Sequence, residues 1–289
     1  MDAPTYRRAS TLPLEYVATA FNHSFEGYFV PMSHTVDSLR RLIEVNDVSL
    51  AHSFVAVDDG GQPGGIVLLA IRGARGWIGG MGLAPEWRGR GQSAPLMRVA
   101  LEEARTVGLA SVELEVLAQN TPARRLYSGL GFENVRSLAV FTGPLASDVA
   151  VAREPVPLPV REIPVERALA DFAVLHQMTS PWQREIPSLT YMAASLRATA
   201  LLDGEVVRAS LISMDSGAGV SIMDFGSRAA TVDERRSDAL ALIRALVTPT
   251  PGAPVRAINI PPGDPLGDAL VTLGCPIPHT QWEMLLRLN

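Results

Sequence analysis

The chain has 289 residues, 47% of them hydrophobic, a formal net charge of −5 and a single cysteine. That length suits two ordinary domains, and the apolar fraction supplies sizeable cores, which excludes a disordered or fibrous chain. The acidic balance argues against a nucleic-acid surface, one cysteine excludes an intrachain disulfide, and the lack of any lysine excludes Schiff-base chemistry.

No apolar run is long enough to span a bilayer, and no apolar signal core follows Arg7 and Arg8. A cytoplasmic protein without a membrane partner is therefore expected. The histidines, His23, His34, His52, His176 and His279, have no metal-ligand spacing, so no metal is expected. Cys275 follows Leu273-Gly274 at the start of an expected strand and reads as a small core residue.

Apolar residues at helical spacing predict a first helix over Leu14 to Phe21, with Thr11 as its cap. An aromatic stretch from Phe21 to Phe29 follows. A second helix is expected after Thr35, with Leu39, Leu42 and Ile43 on one face. Short strands come next: Phe54–Val57, Gly65–Ile71 across the Asp58-Asp59-Gly60-Gly61 turn, and Trp77–Leu83. A helix over Pro95–Val107 ends at Gly108, and a strand over Ser111–Val116 follows. The remainder of this half reads as a short helix and two closing strands, Phe132–Arg136 and Leu138–Thr142.

Between the third strand and the third helix stands Leu83-Ala84-Pro85-Glu86-Trp87-Arg88-Gly89-Arg90-Gly91-Gln92-Ser93. Strand, glycine-rich loop and helix start in that order gather backbone N–H groups and a positive helix end at one point, suited to a pyrophosphate. The loop lacks the Gly-Lys-Ser/Thr ending of a Walker A site and the pattern of a dinucleotide fingerprint. It resembles the Arg/Gln-x-x-Gly-x-Gly/Ala motif of the GNAT acyltransferase superfamily, with Ser93 departing from the last position. A second motif, Asn120-x-x-Ala123-x-x-Leu126-Tyr127-x-x-x-Gly131-Phe132, matches the family's Asn-x-x-Ala-x-x-Leu-Tyr-x-x-x-Gly-Phe at the expected distance. Ala123 and Tyr127 share one helix face, where alanine leaves room for a pantetheine arm. The resemblance covers roughly residues 10–145.

The second half repeats the same plan by element order and reads as a tandem repeat. Helices over Val165–Met178 and Tyr191–Leu196 precede strands over Thr199–Leu202, Val206–Ser213 and Val220–Phe225. A helix over Ser237–Leu246, then Val255–Ile260, Asp264–Leu273 and Gln281–Leu288, complete it. Where the phosphate loop would fall stands Thr231-Val232-Asp233-Glu234-Arg235-Arg236-Ser237-Asp238, without glycine and with three acids; Leu270 stands opposite Tyr127. The expected fold is therefore α/β: two tandem GNAT-like domains, each a mixed, mostly antiparallel twisted sheet flanked by helices. Expected boundaries are a catalytic domain over 1–145, a Pro-rich linker over 146–160 and a degenerate copy over 161–289. Ser180-Pro181-Trp182-Gln183 reads as a surface loop.

The resemblance implies an acyl-CoA-dependent N-acyltransferase using acetyl-CoA as co-substrate and a small-molecule or peptide amine as acceptor. It assigns the cofactor to Leu83, Ala84, Arg88, Gly89, Arg90, Gly91, Gln92, Ser93, Asn120, Ala123 and Tyr127, and makes Tyr127 the general acid to the departing thiolate. His23, Glu26 and Tyr28 are the implied acceptor contacts. No acid lies on the strand Trp77–Leu83, so the base stays open among Glu113, Glu115, Glu26 and His23. The second copy would replace the partner subunit that single-domain relatives recruit, giving a monomer. The competing reading is a non-catalytic acyl-CoA-binding or regulatory protein.

Overall fold

The protein was studied as a computed structural model that describes residues 4–146, 158–217, 219–250 and 252–288. The expected linker over 146–160 lies largely outside these residues. The chain divides into two compact units, Met1–Val135 with Trp282–Asn289, and Arg136–Gln281.

The first unit carries β1 (Thr5–Arg8), α1 (Leu14–Ser24), α2 (Val36–Val45), β2 (Phe54–Val57), β3 (Pro63–Arg72), β4 (Arg75–Leu83), α3 (Ser93–Thr106), β5 (Ser111–Leu117) and α4 (Thr121–Gly129). β1 was not foreseen; its four residues pair antiparallel with β2. Thr11 does not cap α1. Its hydroxyl donates to the Arg8 carbonyl, and Pro13 stands at the helix start. Thr35 does cap α2, accepting from the Ser38 N–H.

Strands β1 to β4 are antiparallel neighbours, whereas β4 and β5 run parallel and pair only over Arg75–Trp77 with Ser111–Glu113. Beyond Trp77 the two strands part. The β3–β4 register slips at the same place: Leu69 faces Ile78 and Leu68 faces Gly80, leaving Gly79 as the extra residue of a bulge. Glycine is needed along this run because other groups lie against the strand. A methyl on Gly79 would stand 2.5 Å from the Trp77 ring, and one on Gly80 3.0 Å from Phe21 of α1. On the opposite face, Val112, Leu114 and Val116 join Leu96, Met97 and Ala100 of α3 in one core.

The closing strands are where the structure departs from the expected boundaries. The two strands expected over 132–136 and 138–142 are one, β6 (Glu133–Gly143). From Arg136 onward it belongs to the second unit, where Phe141, Thr142 and Gly143 pair with Ala257, Arg256 and Val255. The final strand β12 (His279–Arg287) belongs to the first unit from Trp282, beside β5, with Met284 and Leu286 in that core. Contiguous domains over 1–145 and 161–289 are thus replaced by units that take their closing strands from opposite halves of the sequence. Alternating apolar residues specify a buried strand face but not the sheet it joins.

The second unit holds β7 (Val160–Ile163), α5 (Val165–Ala170), α6 (Phe172–Leu175), α7 (Ile186–Met192), β8 (Arg197–Asp203), β9 (Val206–Asp215), β10 (Val220–Ser227), α8 (Val232–Val247), β11 (Val255–Ile260) and α9 (Pro265–Thr272). Its sheet runs β6-β11-β10-β9-β8-β7. The parallel pair β10–β11 is again short, Val220–Ser221 with Val255–Arg256, and β10 is bulged between Ile222 and Asp224. The helix expected over 165–178 is two short helices meeting at Asp171, and it stops at Leu175 because His176 turns into extended backbone. The helix expected over 191–196 lies earlier, at α7. α8 starts at Val232 rather than Ser237, since Thr231 and Glu234 form a capping box. Trp182, expected on a surface loop, is buried, and so is Arg184 two residues on.

Candidate active site

The loop after β4 is held from beneath by Trp87, which is 3% exposed in the short helical turn Pro85–Trp87. A methyl on Gly64 of β3 would stand 1.8 Å from the Trp87 ring, so that glycine makes the seat for the indole. The sequence reading missed Trp87; a tryptophan inside a glycine-rich polar loop was the available signal. From this anchor the chain passes Gly89 (φ 70°) and Gly91 (φ 75°), both left-handed, with nothing within 4 Å of where either Cβ would be.

Helix α3 then begins. Its N-cap residue Gln92 makes no side-chain capping bond, and its first turn contains no acid. The first N–H groups of this helix are thus open, as an anion site requires. α8 is built the other way. The Thr231 side chain accepts from the Glu234 N–H, Glu234 bonds back to Thr231, and Asp233 stands in the same turn. A protein carboxylate already occupies that helix end.

Arg88 is placed differently from the sequence expectation of a phosphate contact. Its Nε donates to the Leu83 carbonyl at 2.9 Å, and its Nη2 to the carbonyls of Glu26 at 2.6 Å and Ser24 at 3.3 Å. The guanidinium therefore ties the end of α1 to the end of β4. Arg90 is exposed as well.

Along β4 the Ala84 N–H bonds the Gly64 carbonyl of β3. By the alternation of a strand, Leu83 and Met81 direct their backbone groups the other way, where β5 has parted from β4. Leu83 carbonyl is the one Arg88 holds; the N–H groups of Leu83 and Met81 face the opening.

Across the opening, Asn120 caps α4, its Oδ1 accepting from the Ala123 N–H at 3.2 Å. The same side chain hydrogen-bonds Tyr28, whose phenol burial pushes up and Asn120 pulls down. Tyr127 lies close to Tyr28, is 6% exposed, and packs on Phe132 with ring centroids 5.9 Å apart. Burial, with a smaller contribution from Tyr28, holds its hydroxyl protonated well beyond the ordinary tyrosine range. Tyr28, Asn120 and Tyr127 are thus brought together.

His23 and Glu26 are placed elsewhere. With Thr19, Asn22, Phe25, Met32 and Ser33 they line a shallow cleft along α1, and His23 Nε2 lies 3.4 Å from Glu86.

Of the four base candidates, Glu115 is the one held by the Trp77 indole. It points to the sheet face opposite Leu114 and Val116, and Trp77 Nε1 donates to its Oε2 at 2.7 Å. Burial first, and then the charges of Glu283 and Glu113, push its carboxyl up to about 8 against the Trp77 hydrogen bond. Glu113, on the same strand face, lies 3.5 Å from Arg75. Cys275 is buried, and burial pushes its thiol up to about 11, which fits a core residue rather than a nucleophile.

Residues 17–132 match the family described as Acetyltransferase (GNAT) family. That match lies within the first unit and covers less than half of the chain. Two solved structures extend the likeness across both units, at identities that speak for fold alone. A GCN5-related N-acetyltransferase from Sphaerobacter thermophilus has a TM-score of 0.71 at 12% identity, covering 98% of this chain and 95% of that one. A tandem GNAT protein from the clavulanic acid biosynthesis pathway has a TM-score of 0.68 at 12% identity, covering 99% and 98%. The likeness in fold thus runs through both units, in keeping with their repeated element order. A mycothiol acetyltransferase of Corynebacterium glutamicum (strain R) is 43% identical over 61 residues, a match that spans 21% of this chain and 21% of that relative. No helix among the described residues is long and apolar enough to cross a membrane.

Proposed function

We propose that the chain is an acyl-CoA-dependent N-acyltransferase, with acetyl-CoA as co-substrate, a primary amine as acceptor, and its chemistry confined to the GNAT domain of the first unit. The observation that carries this reading is the uncapped start of α3 behind Gly89 and Gly91, at the foot of the opening between β4 and β5. The N–H groups of the loop and the first turn of α3 suit a pyrophosphate, with Arg90 free to add charge. Ala123 and Asn120 flank the path of a pantetheine arm, and the carboxylate-capped start of α8 favours one CoA per chain.

Each residue then has a task. The N–H groups of Leu83 and Met81 bond the thioester carbonyl oxygen as it gains negative charge. Glu115, held near neutrality by its surroundings, accepts a proton from the attacking amine, directly or through water. The N–C bond forms, the C–S bond breaks, and the thiolate leaves toward Tyr127. A thiol has an ordinary pKa of about 8.5, so a phenol held above 10 does not protonate its thiolate downhill. Tyr127 serves by donating a hydrogen bond to the sulfur, and solvent supplies the final proton.

Calorimetric titration of acetyl-CoA into the wild type, Gly91→Val and Glu234→Ala tests the assignment. One site per chain, lost in Gly91→Val and untouched in Glu234→Ala, is the expected result. Two sites, or no binding by the wild type, would overturn it.

A further inference from the structure

Trp77 is the last residue of β4 paired with β5, where it stands opposite Glu113. Its indole is buried and reaches diagonally past that pairing to Glu115, two residues further along β5, donating Nε1–H to Oε2 at 2.7 Å. The same ring lies on the bulge of β4. A methyl on Gly79 would stand 2.5 Å from its Cζ3, 3.0 Å from Cε3 and 3.2 Å from Cη2. One rigid side chain thus touches both features that the strands present where they separate.

The residue type fits both tasks. For packing alone, phenylalanine would cover Gly79 without a polar atom to satisfy in a buried place. The indole N–H donates and never accepts, so it cannot take the proton that a carboxyl beside it exchanges. It bonds the carboxylate more strongly than the acid, because a charged acceptor makes the stronger hydrogen bond, and so works against the burial of Glu115 and the charges of Glu283 and Glu113. Arg75, 3.5 Å from Glu113, is the cation on this stretch of the two strands. The benzene edge of the ring meets the backbone. The β3–β4 register slips at Gly79, and the position of that slip decides which N–H groups further along β4 turn toward β3 and which toward the opening.

We infer, on the acyltransferase reading given above, that Trp77 is a positioning residue for the transfer: its N–H orients the carboxyl of Glu115, and its ring seats the bulge that aims the N–H groups of Met81 and Leu83. Trp77 itself touches no substrate. It acts through Glu115 and through the backbone, and it keeps the proton acceptor and the carbonyl donors in one fixed geometry.

Two spectroscopic readouts test this on the full chain, neither needing an acceptor amine. Tryptophan-selective 15N labelling gives indole signals for Trp77, Trp87, Trp182 and Trp282, assigned by single substitutions to phenylalanine. Across the neutral and alkaline range the Trp77 signal should move through an inflection near 8, which Glu115→Gln abolishes and the other indoles do not share. The carbonyl stretch of bound [1-13C]acetyl-CoA then reports the donors of β4. Wild type and Trp77→Phe, which keeps a ring over Gly79, should lower that frequency relative to free acetyl-CoA, and Trp77→Leu should lose most of the shift. Melting temperatures show which variants fold; if Trp77→Leu does not, the wild-type titration and its loss in Glu115→Gln still decide the claim. A Trp77 signal without the inflection, an inflection that survives Glu115→Gln, or an undiminished carbonyl shift in Trp77→Leu would each overturn the inference. A wild type that binds no acetyl-CoA, whatever its indole titration, would remove the acyltransferase reading itself and this inference with it.

Discussion

Trp77 Nε1 donates to Glu115 Oε2 at 2.7 Å, joining two strands at the last paired position before they part. The indole thereby fixes a carboxyl of raised pKa at the apex of the opening. That placement is what favours Glu115 over Glu113, which lies beside Arg75, as proton acceptor. Glu115→Gln should lower kcat/KM for amine acetylation roughly 10²-fold. In the wild type the rate should rise with pH through about 8, and the variant should lose that inflection. A pH–rate profile that keeps it would move the base elsewhere.

The same carboxyl has a stability consequence of definite sign. Its folded pKa lies above its unfolded value, so between the ordinary glutamate range and about 8 the folded state binds more protons. Stability therefore declines as pH rises through that window. Thermal melts should show a smaller alkaline decline for Glu115→Gln than for the wild type; parallel curves would contradict the buried, raised carboxyl.

Tyr127→Phe removes a hydrogen bond to the leaving sulfur and little of the packing on Phe132. We expect kcat to fall about 10- to 100-fold with acetyl-CoA affinity changed by less than about threefold. Because its hydroxyl stays protonated beyond the usual tyrosine range, wild-type activity should show no loss from phenol ionisation below pH 10. Unchanged kcat in the variant would leave an acyl-CoA-binding protein as the better reading.

Arg88→Ala separates a clamp from a phosphate ligand. The wild-type guanidinium serves three backbone carbonyls, so its loss should destabilise the protein by about 1–2 kcal/mol in denaturant melts while changing acetyl-CoA affinity less than about threefold. A tenfold loss of affinity at constant stability would instead put the side chain on the pyrophosphate.

In the second unit, His176 has an acceptor on each ring nitrogen: the Phe172 carbonyl at 2.8 Å and Asp224 at 3.1 Å. An imidazolium, protonated on both nitrogens, would satisfy both acceptors, and the ring stacks on Phe172. Burial opposes that charge and Arg184 opposes it further, but the hydrogen bond and charge of Asp224 and the carbonyl outweigh both, so the pKa is raised. A raised histidine pKa contributes stability that is complete below the unfolded value and is lost as pH rises through the folded one. The melting-temperature gap between the wild type and His176→Gln should be widest in acid and shrink on the alkaline side. A gap independent of pH would show that packing, not charge, is what His176 supplies.

The sequence by itself determined the parts whose causes are local. The Gly89 and Gly91 turn, the start of α3, Asn120 as cap of α4, Ala123 and Tyr127 on one helix face, and the acids at the head of α8 all depend on neighbours within a few residues. Periodicity and turn chemistry are local in the same way, so most strands of both units were legible. Tertiary structure decided whatever depended on partners far along the chain. Which sheet takes β6 and which takes β12 is set by packing Phe141 in one core and Met284 and Leu286 in the other. Arg88 in a loop motif reads as a phosphate ligand until the carbonyls of Ser24 and Glu26, more than sixty residues earlier, are found beside it. Glu115 stands out from Glu113 only when Trp77 and Glu283 surround it, because a carboxyl's burial and charged neighbours are properties of the folded space and not of its sequence window.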